Sequence, residues 1–231
     1  MGAKTLSEFR TDLVTWALTN RDDLTTAQTT AFVNASYIDF TTRNQFWALK
    51  VPQGFDFPEL KVADSTKATV ANTAYITTPA DCIHLYTIWD STNDKKLSYI
   101  SWGEYVRRTG RATSASYGDP TKWTRYGGRI YFYPTPDAVN ALTLYYRKRP
   151  AEMSADDDVT LLDAMWDEPI QGLVNIQAMM RFKMYEQAEA EKKDWLEMMT
   201  GKFGFVGKEE RDRKSYFEPD PAYANWDEGY K

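Results

Sequence analysis

Residues 117–150 read Y-G-D-P-T-K-W-T-R-Y-G-G-R-I-Y-F-Y-P-T-P-D-A-V-N-A-L-T-L-Y-Y-R-K-R-P, three short β-type runs each bounded by turn chemistry. Gly127-Gly128 suits the positive φ values of a two-residue hairpin turn, so Lys122–Tyr126 is predicted to pair with Arg129–Tyr133. Pro134, Pro136 and Asp137 stop the second run. Leu142, Leu144 and Tyr146 then share one face of a third strand and Thr143, Tyr145 and Arg147 the other, which predicts an antiparallel meander. Upstream, residues 74–79 read as a strand ended by Pro79. Residues 82–89 alternate Ile83, Leu85, Thr87 and Trp89 against Cys82, His84, Tyr86 and Ile88.

Helical signals flank this region. Thr5 with Glu8 forms a capping-box pattern, followed by Leu6, Phe9, Leu13, Trp16 and Ala17 at helical spacing, one buried stripe to about residue 20. A second helix is expected over residues 26–45, with Phe32, Val33, Tyr37 and Phe40 on one side. Residues 46–67 read as loop with short extended pieces, and Ser101 with Glu104 opens a short helix that Gly110 ends. Residues 154–158 read as a solvated acidic spacer. Asp167 and Pro169 then begin the strongest helix, apolar on more than one side through Ile170, Leu173, Val174, Ile176, Met179, Met180 and Met184. A further helix is expected to about residue 200, with Gly201, Gly204 and Gly207 interrupting it.

The fold class expected is therefore α+β: a helical bundle from both chain ends (residues 1–45 and 151–207), an antiparallel β-rich insertion with a short helix (46–150), and an extended C-terminal arm (208–231). The arm carries Tyr216, Phe217, Tyr223, Trp226 and Tyr230 among prolines and acidic residues, with no helical or strand period. Such a segment builds no core alone and gains burial by docking, on a partner or back on its own subunit.

Charge and residue counts narrow the chemistry. The formal charge is −5, with no global basic excess to drive sequence-independent phosphate binding, so a dedicated nucleic-acid binder is not expected. A mildly acidic surface suits a passage that DNA traverses without sticking. The one cysteine, Cys82, rules out an internal disulfide or thiolate zinc cluster, and reducing cytosol is the expected compartment. Residues 1–10 have no apolar leader core, and no stretch approaches the ~18 apolar residues of a membrane span. His84, the one histidine, excludes histidine triads and two-histidine metal sites within one chain. Phosphate-loop, nucleophile-elbow and dinucleotide-fingerprint motifs are missing. Asp156, Asp157 and Asp158 lack the spacing and glycine of a calcium loop, so no metal site and no cofactor are expected.

Two basic groups stand out, Arg107, Arg108 and Arg111, and Arg147 with Lys148 and Arg149. They suit acidic surfaces of a neighbouring subunit or a DNA lumen; ordinary surface charge is the competing reading. Trp123, Tyr126, Tyr131 and Tyr133 fit core or interface packing, and also the aromatic platform of a carbohydrate-active enzyme or carbohydrate-binding module. A helical regulatory protein is a further class open at this point.

The order of motifs carries one more reading. Thr78-Pro79-Ala80-Asp81, then G-D-P at residues 118–120, two aromatic runs, P-x-P-D at 134–137, L-x-L-x-Y at 142–146 and paired helices resembles the head-to-tail adaptor proteins of tailed bacteriophages, across nearly the whole chain. The chain departs from that pattern where a Gly-Asp turn often separates the last two helices; Tyr185 to Ala188 stands there instead. The resemblance implies a structural virion protein with no enzymatic step, made in the host cytoplasm and located at the head-tail junction. It implies a twelvefold ring on the portal protein that extends the DNA channel and offers a platform to the tail tube, nozzle or other tail proteins. It also implies that the arm's Tyr216, Phe217, Tyr223, Trp226 and Tyr230 bind the portal.

Overall fold

A computed structural model describes residues 3–18, 24–42, 57–110 and 116–214. The chain is α+β and divides into two compact units, Met1–Phe40 with Gln45–Pro52 and Met153–Lys231, and Thr41–Asn44 with Gln53–Glu152.

The first unit is built of helices. In α1 (Leu6–Asp12) the Thr5 hydroxyl accepts from the Glu8 amide at 3.3 Å while the Glu8 carboxylate accepts from the Thr5 amide at 2.8 Å, the reciprocal cap expected. The helix then loosens into a π-turn over Leu13–Ala17, closed by the Leu18 amide on the Leu13 carbonyl at 3.1 Å. The wider turn changes the stripe. Leu6, Phe9, Leu13, Ala17 and Leu18 are buried, whereas Trp16, expected inside, is 75% exposed. Helix α2 (Thr26–Thr42) starts one residue after Thr25, whose hydroxyl and amide pair with Gln28 as a second capping box. Four of its polar residues lie inside: Thr29, Asn34, Ser36 and Thr41 are buried beside Val33, Tyr37 and Phe40.

Helix α4 (Asp167–Arg181) is buried on most sides, and α5 runs Tyr185–Lys214. The two are separate helices, divided by a turn in which Lys183 takes the left-handed conformation at φ 61°. They pack closely because Gly172 has no side chain: a Cβ there would lie 2.4 Å from Cδ1 of Trp195, whose indole N–H donates to the Pro169 carbonyl at 2.7 Å. Helix α5 does not end near residue 200. It continues through Gly201, Gly204 and Gly207, each of which lowers helix propensity by ~1 kcal/mol without removing a hydrogen-bond donor as proline does. Residues 208–214, expected to begin an extended arm, are therefore helical, and residues 215–231 lie outside the described residues.

The second unit holds a seven-stranded sheet in the order β1-β7-β3-β4-β5-β6-β2. The strands are β1 (Lys61–Ala68), β2 (Tyr75–Thr77), β3 (Cys82–Asp90), β4 (Lys95–Tyr99), β5 (Lys122–Tyr126), β6 (Arg129–Tyr133) and β7 (Ala141–Lys148); α3 (Trp102–Thr109) lies between β4 and β5. The Gly127-Gly128 hairpin has the predicted register, Tyr126 opposite Arg129, with both glycines at positive φ. Two expectations are corrected. Strand β7 does not follow β6 in a meander but crosses to lie between β1 and β3, and β4 pairs with β5 in parallel, so the sheet is mixed rather than antiparallel. Register shifts in β3 at Cys82/His84 and Leu85/Thr87 also break the predicted two-residue alternation, so that Cys82, Leu85 and Ile88 face the core together. With Ile76, Leu97, Trp123, Ile130, Phe132, Leu142, Leu144 and Tyr146 they form one apolar cluster.

Candidate assembly surfaces

The motifs with turn chemistry act first as pins of the sheet. Asp119 of G-D-P accepts from the side-chain amides of Asn93 at 3.2 Å and Asn140 at 3.4 Å, tying the β3–β4 turn to the entry of β7. Asn140 and Asn93 also donate to the fully buried Asp90, which caps the amides of Thr92 and Asn93. Asp81 accepts from the Tyr146 hydroxyl at 3.1 Å; burial and then this carboxylate push the Tyr146 phenol up to about 12.

Helix α3 lies on the β5–β6–β2 face and creates the most organised surface of the second unit. The ring of Trp102 stacks on Tyr126 with centroids 4.2 Å apart and planes within 7°, and also meets Tyr105 and Tyr131 at 5.2 and 5.1 Å. Tyr75 on β2 extends the row to Tyr131 at 5.5 Å, and the Arg129 guanidinium covers Tyr75 at 4.3 Å. Tyr105 is buried but Tyr126 is 55% exposed. Trp123, predicted with this group, points the other way into the sheet core and donates its N–H to the Leu97 carbonyl.

Of the basic residues singled out by sequence, Arg107 and Arg108 share Glu104, at 2.6 Å each, on the exposed side of α3. Glu104 thereby leaves the reciprocal half of the Ser101 cap unmade, and hydrogen bonding from Arg107 holds its carboxyl below the usual range. Arg149 is exposed elsewhere. Arg147 is no surface group: it is buried, donates to the Thr41 carbonyl and lies 5.7 Å from the Phe57 ring centre. Its long stem is apolar and the guanidinium satisfies a helix-end carbonyl, which a sequence pattern of R-K-R does not reveal. Arg111 and the five arm aromatics lie outside the described residues.

The first unit carries a cleft of about 870 Å³ between α1, α4 and α5 that the sequence reading missed. A polar chain lines it. The Lys4 amide donates to Asp167 at 2.7 Å, its ammonium reaches Asp12 and donates to Gln171 at 2.9 Å, Gln171 donates to Asn175 at 3.0 Å, and Asn175 donates to Glu191 at 3.3 Å. Burial raises the Asp167 carboxyl above its ordinary value against the opposing hydrogen bond from Lys4. Asp167, Gln171 and Asn175 recur every four residues along α4, a polar stripe within an apolar helix that was the readable signal.

The acidic loop is exposed, as expected, but it is more than a spacer. Asp158 accepts from the amides of Ser154 at 2.6 Å and Ala155 at 2.8 Å, Asp156 pairs with Arg10 at 2.6 Å, and the carbonyls of Asp158 and Asp156 take the amides of Leu6 and Ser7 at the start of α1. It ties the chain ends of this unit together. His84 is exposed on β3 with its ring edge-on to Tyr86 at 5.0 Å; crowding by neighbouring atoms, then the charges of Arg125 and Arg147, hold its pKa below the ordinary value. Among the described residues no group of three or more His, Cys, Asp or Glu side chains is placed to hold a metal ion, and no helix is long and apolar enough to cross a membrane.

The chain belongs to the SU10 adaptor protein family, phage head-to-tail adaptors, whose family model matches residues 4–221 and so spans both units. No curated protein matches the chain. The protein is accordingly a structural component of a phage virion that associates with other head and tail proteins.

Proposed function

We propose that this protein is one subunit of a twelvefold ring that docks on the portal after packaging, extends the DNA channel and presents a platform to the tail. The family match over residues 4–221 carries this reading. Head-to-tail contacts between identical subunits close into a ring, and such an interface needs two different surfaces on each copy. The duplex passes without sequence-specific contact, in keeping with a formal charge of −5. The segment bearing Tyr216, Phe217, Tyr223, Trp226 and Tyr230 makes an intermolecular contact in this assembly. A carbohydrate platform fits less well, because Trp102 and Tyr126 stack on each other, 4.2 Å apart, and so already use one face of each ring. Electron microscopy of the purified protein mixed with its portal tests the reading: a density ring of twelve copies on the portal is expected, and free protein beside bare portals would overturn it.

A further inference from the structure

The aromatic surface formed by α3 and the β5–β6–β2 face combines two properties that select one kind of occupant. It offers the exposed ring of Tyr126 beside the half-buried Tyr131 and Tyr75, and it carries an excess of positive charge. Arg107 and Arg108 share one carboxylate, Glu104, while Arg129 has a ring contact with Tyr75 and no carboxylate partner among the described residues. Arg129 and Tyr126 both lie exposed, flanking the Gly127-Gly128 turn. An extended, acidic, aromatic peptide matches such a surface in both chemistry and charge.

The chain itself contains that peptide. Residues 215–231, S-Y-F-E-P-D-P-A-Y-A-N-W-D-E-G-Y-K, hold five aromatics, two prolines and four carboxylates against one lysine. We propose that this segment of one copy docks on the aromatic and arginine surface of a neighbouring copy, clasping adjacent subunits of the ring, in place of the portal contact implied by resemblance alone. The 17 residues follow the end of the 30-residue α5 and would span up to ~55 Å if fully extended. Trp226 and the tyrosines are the anchors, and Glu218, Asp220, Asp227 and Glu228 set the register against Arg107, Arg108 and Arg129.

The inference rests on the ring reading, and its test separates the two. The full-length protein carrying photoreactive benzoylphenylalanine at position 226 is mixed with heavy-isotope-labelled full-length protein, alone and with portal, then irradiated and mapped by mass spectrometry. Cross-links between light and heavy copies, joining the segment to peptides of α3 or of the β5–β6 hairpin, are expected. Arg129→Glu, at an exposed position, should lower their yield ~10-fold, and Asp227→Arg with Glu228→Arg should restore it in that background. Cross-links confined to portal, confined to one copy, or made elsewhere on the second copy would each overturn the proposal, as would an unchanged yield in Arg129→Glu. Micrographs of the same samples read ring formation independently. Normal rings with a portal-bound segment retire the clasp alone, and copy-to-copy cross-links at this surface without portal-bound rings retire the ring alone.

Discussion

The two units solve the same burial problem with different chemistry. The sheet unit gathers its apolar side chains into one central cluster from Ile76 to Tyr146, and it also buries Thr69, Thr78, Asp90, Thr124, Asn140 and Arg147, with Asp90 and Asn140 paired at its turns. The helical unit buries Asn34, Ser36, Thr160, Asp167, Gln171 and Asn175 among its apolar side chains and pairs them. An apolar cluster tolerates exchange among residues of similar volume, whereas a paired polar group fixes one geometry and is costly to leave half-satisfied. The cluster of the sheet unit should therefore depend mainly on volume, and the buried polar chain of the helical unit on matched donors and acceptors.

The largest effect should come from emptying the apolar cluster of the sheet. Phe132→Ala removes a fully buried ring and is expected to cost ~3–5 kcal/mol, read by chemical denaturation, with hydrogen exchange rising across β5, β6 and β7. Phe132→Leu should cost well under half of that. Equal losses for the two would break the view of a volume-determined core.

Asn34 provides the matching test in the helical unit. Its side chain donates to the Met153 carbonyl and accepts from the Met153 amide, both at 2.9 Å, and all of these atoms are buried. Asn34→Leu keeps the volume but orphans a backbone donor and acceptor, at an expected ~2–4 kcal/mol. Asn34→Asp should also lose stability, since a carboxylate cannot donate to the carbonyl. A stable Asn34→Leu variant would erase the distinction between the units. A smaller loss, ~1–3 kcal/mol, is expected for Gly172→Ala, whose new methyl would force Trp195 off its bond to Pro169; the indole fluorescence and the melting temperature report it together.

The same contrast explains what the sequence revealed. Strands ended by Gly-Gly and by proline were readable because turn chemistry is local, and the hairpin register at Tyr126 and Arg129 followed directly. Strand partners were not readable. The choice of β3 over β6 as neighbour of β7, and the parallel pairing of β4 with β5, are decided by long-range packing. In the helices the capping box at Thr5 was visible, but the π-turn at Leu13–Ala17 that turns Trp16 outward was not, because one extra residue per turn leaves composition unchanged. The burial of Asn34 and Gln171 gave no signal, and Arg147 read as a surface charge, because a hydrogen-bond partner over a hundred residues away has no local signature. The aromatic surface was half legible: Tyr126 and Tyr131 were singled out, while Trp102 and Arg129, which organise it, became visible only when α3 was placed on the sheet.

The smallest predicted effect concerns acid, and it sets carboxylates of one unit against each other. The backbone amide and then the hydroxyl of Thr5 hold Glu8 below its ordinary 4.5, and the amides of Ser154 and then Ala155 hold Asp158 below its ordinary 3.8. Their contribution is present above those ordinary values and is lost as pH falls through the lowered ones. Asp167 has the opposite sign: burial raises its pKa above 3.8, so the folded protein holds that proton more tightly and stability from this group is lost as pH rises through the raised value. Urea midpoints measured from pH 6 down to pH 3 should thus fall less steeply in Asp158→Asn than in the parent. In Asp167→Asn the fall should be steeper, because the one group that gains from acid has been removed. If both variants change the acid limb in the same direction, the polar cleft does not bury Asp167 enough to raise its pKa, and the helical unit is less distinct from the sheet unit than its hydrogen bonds indicate.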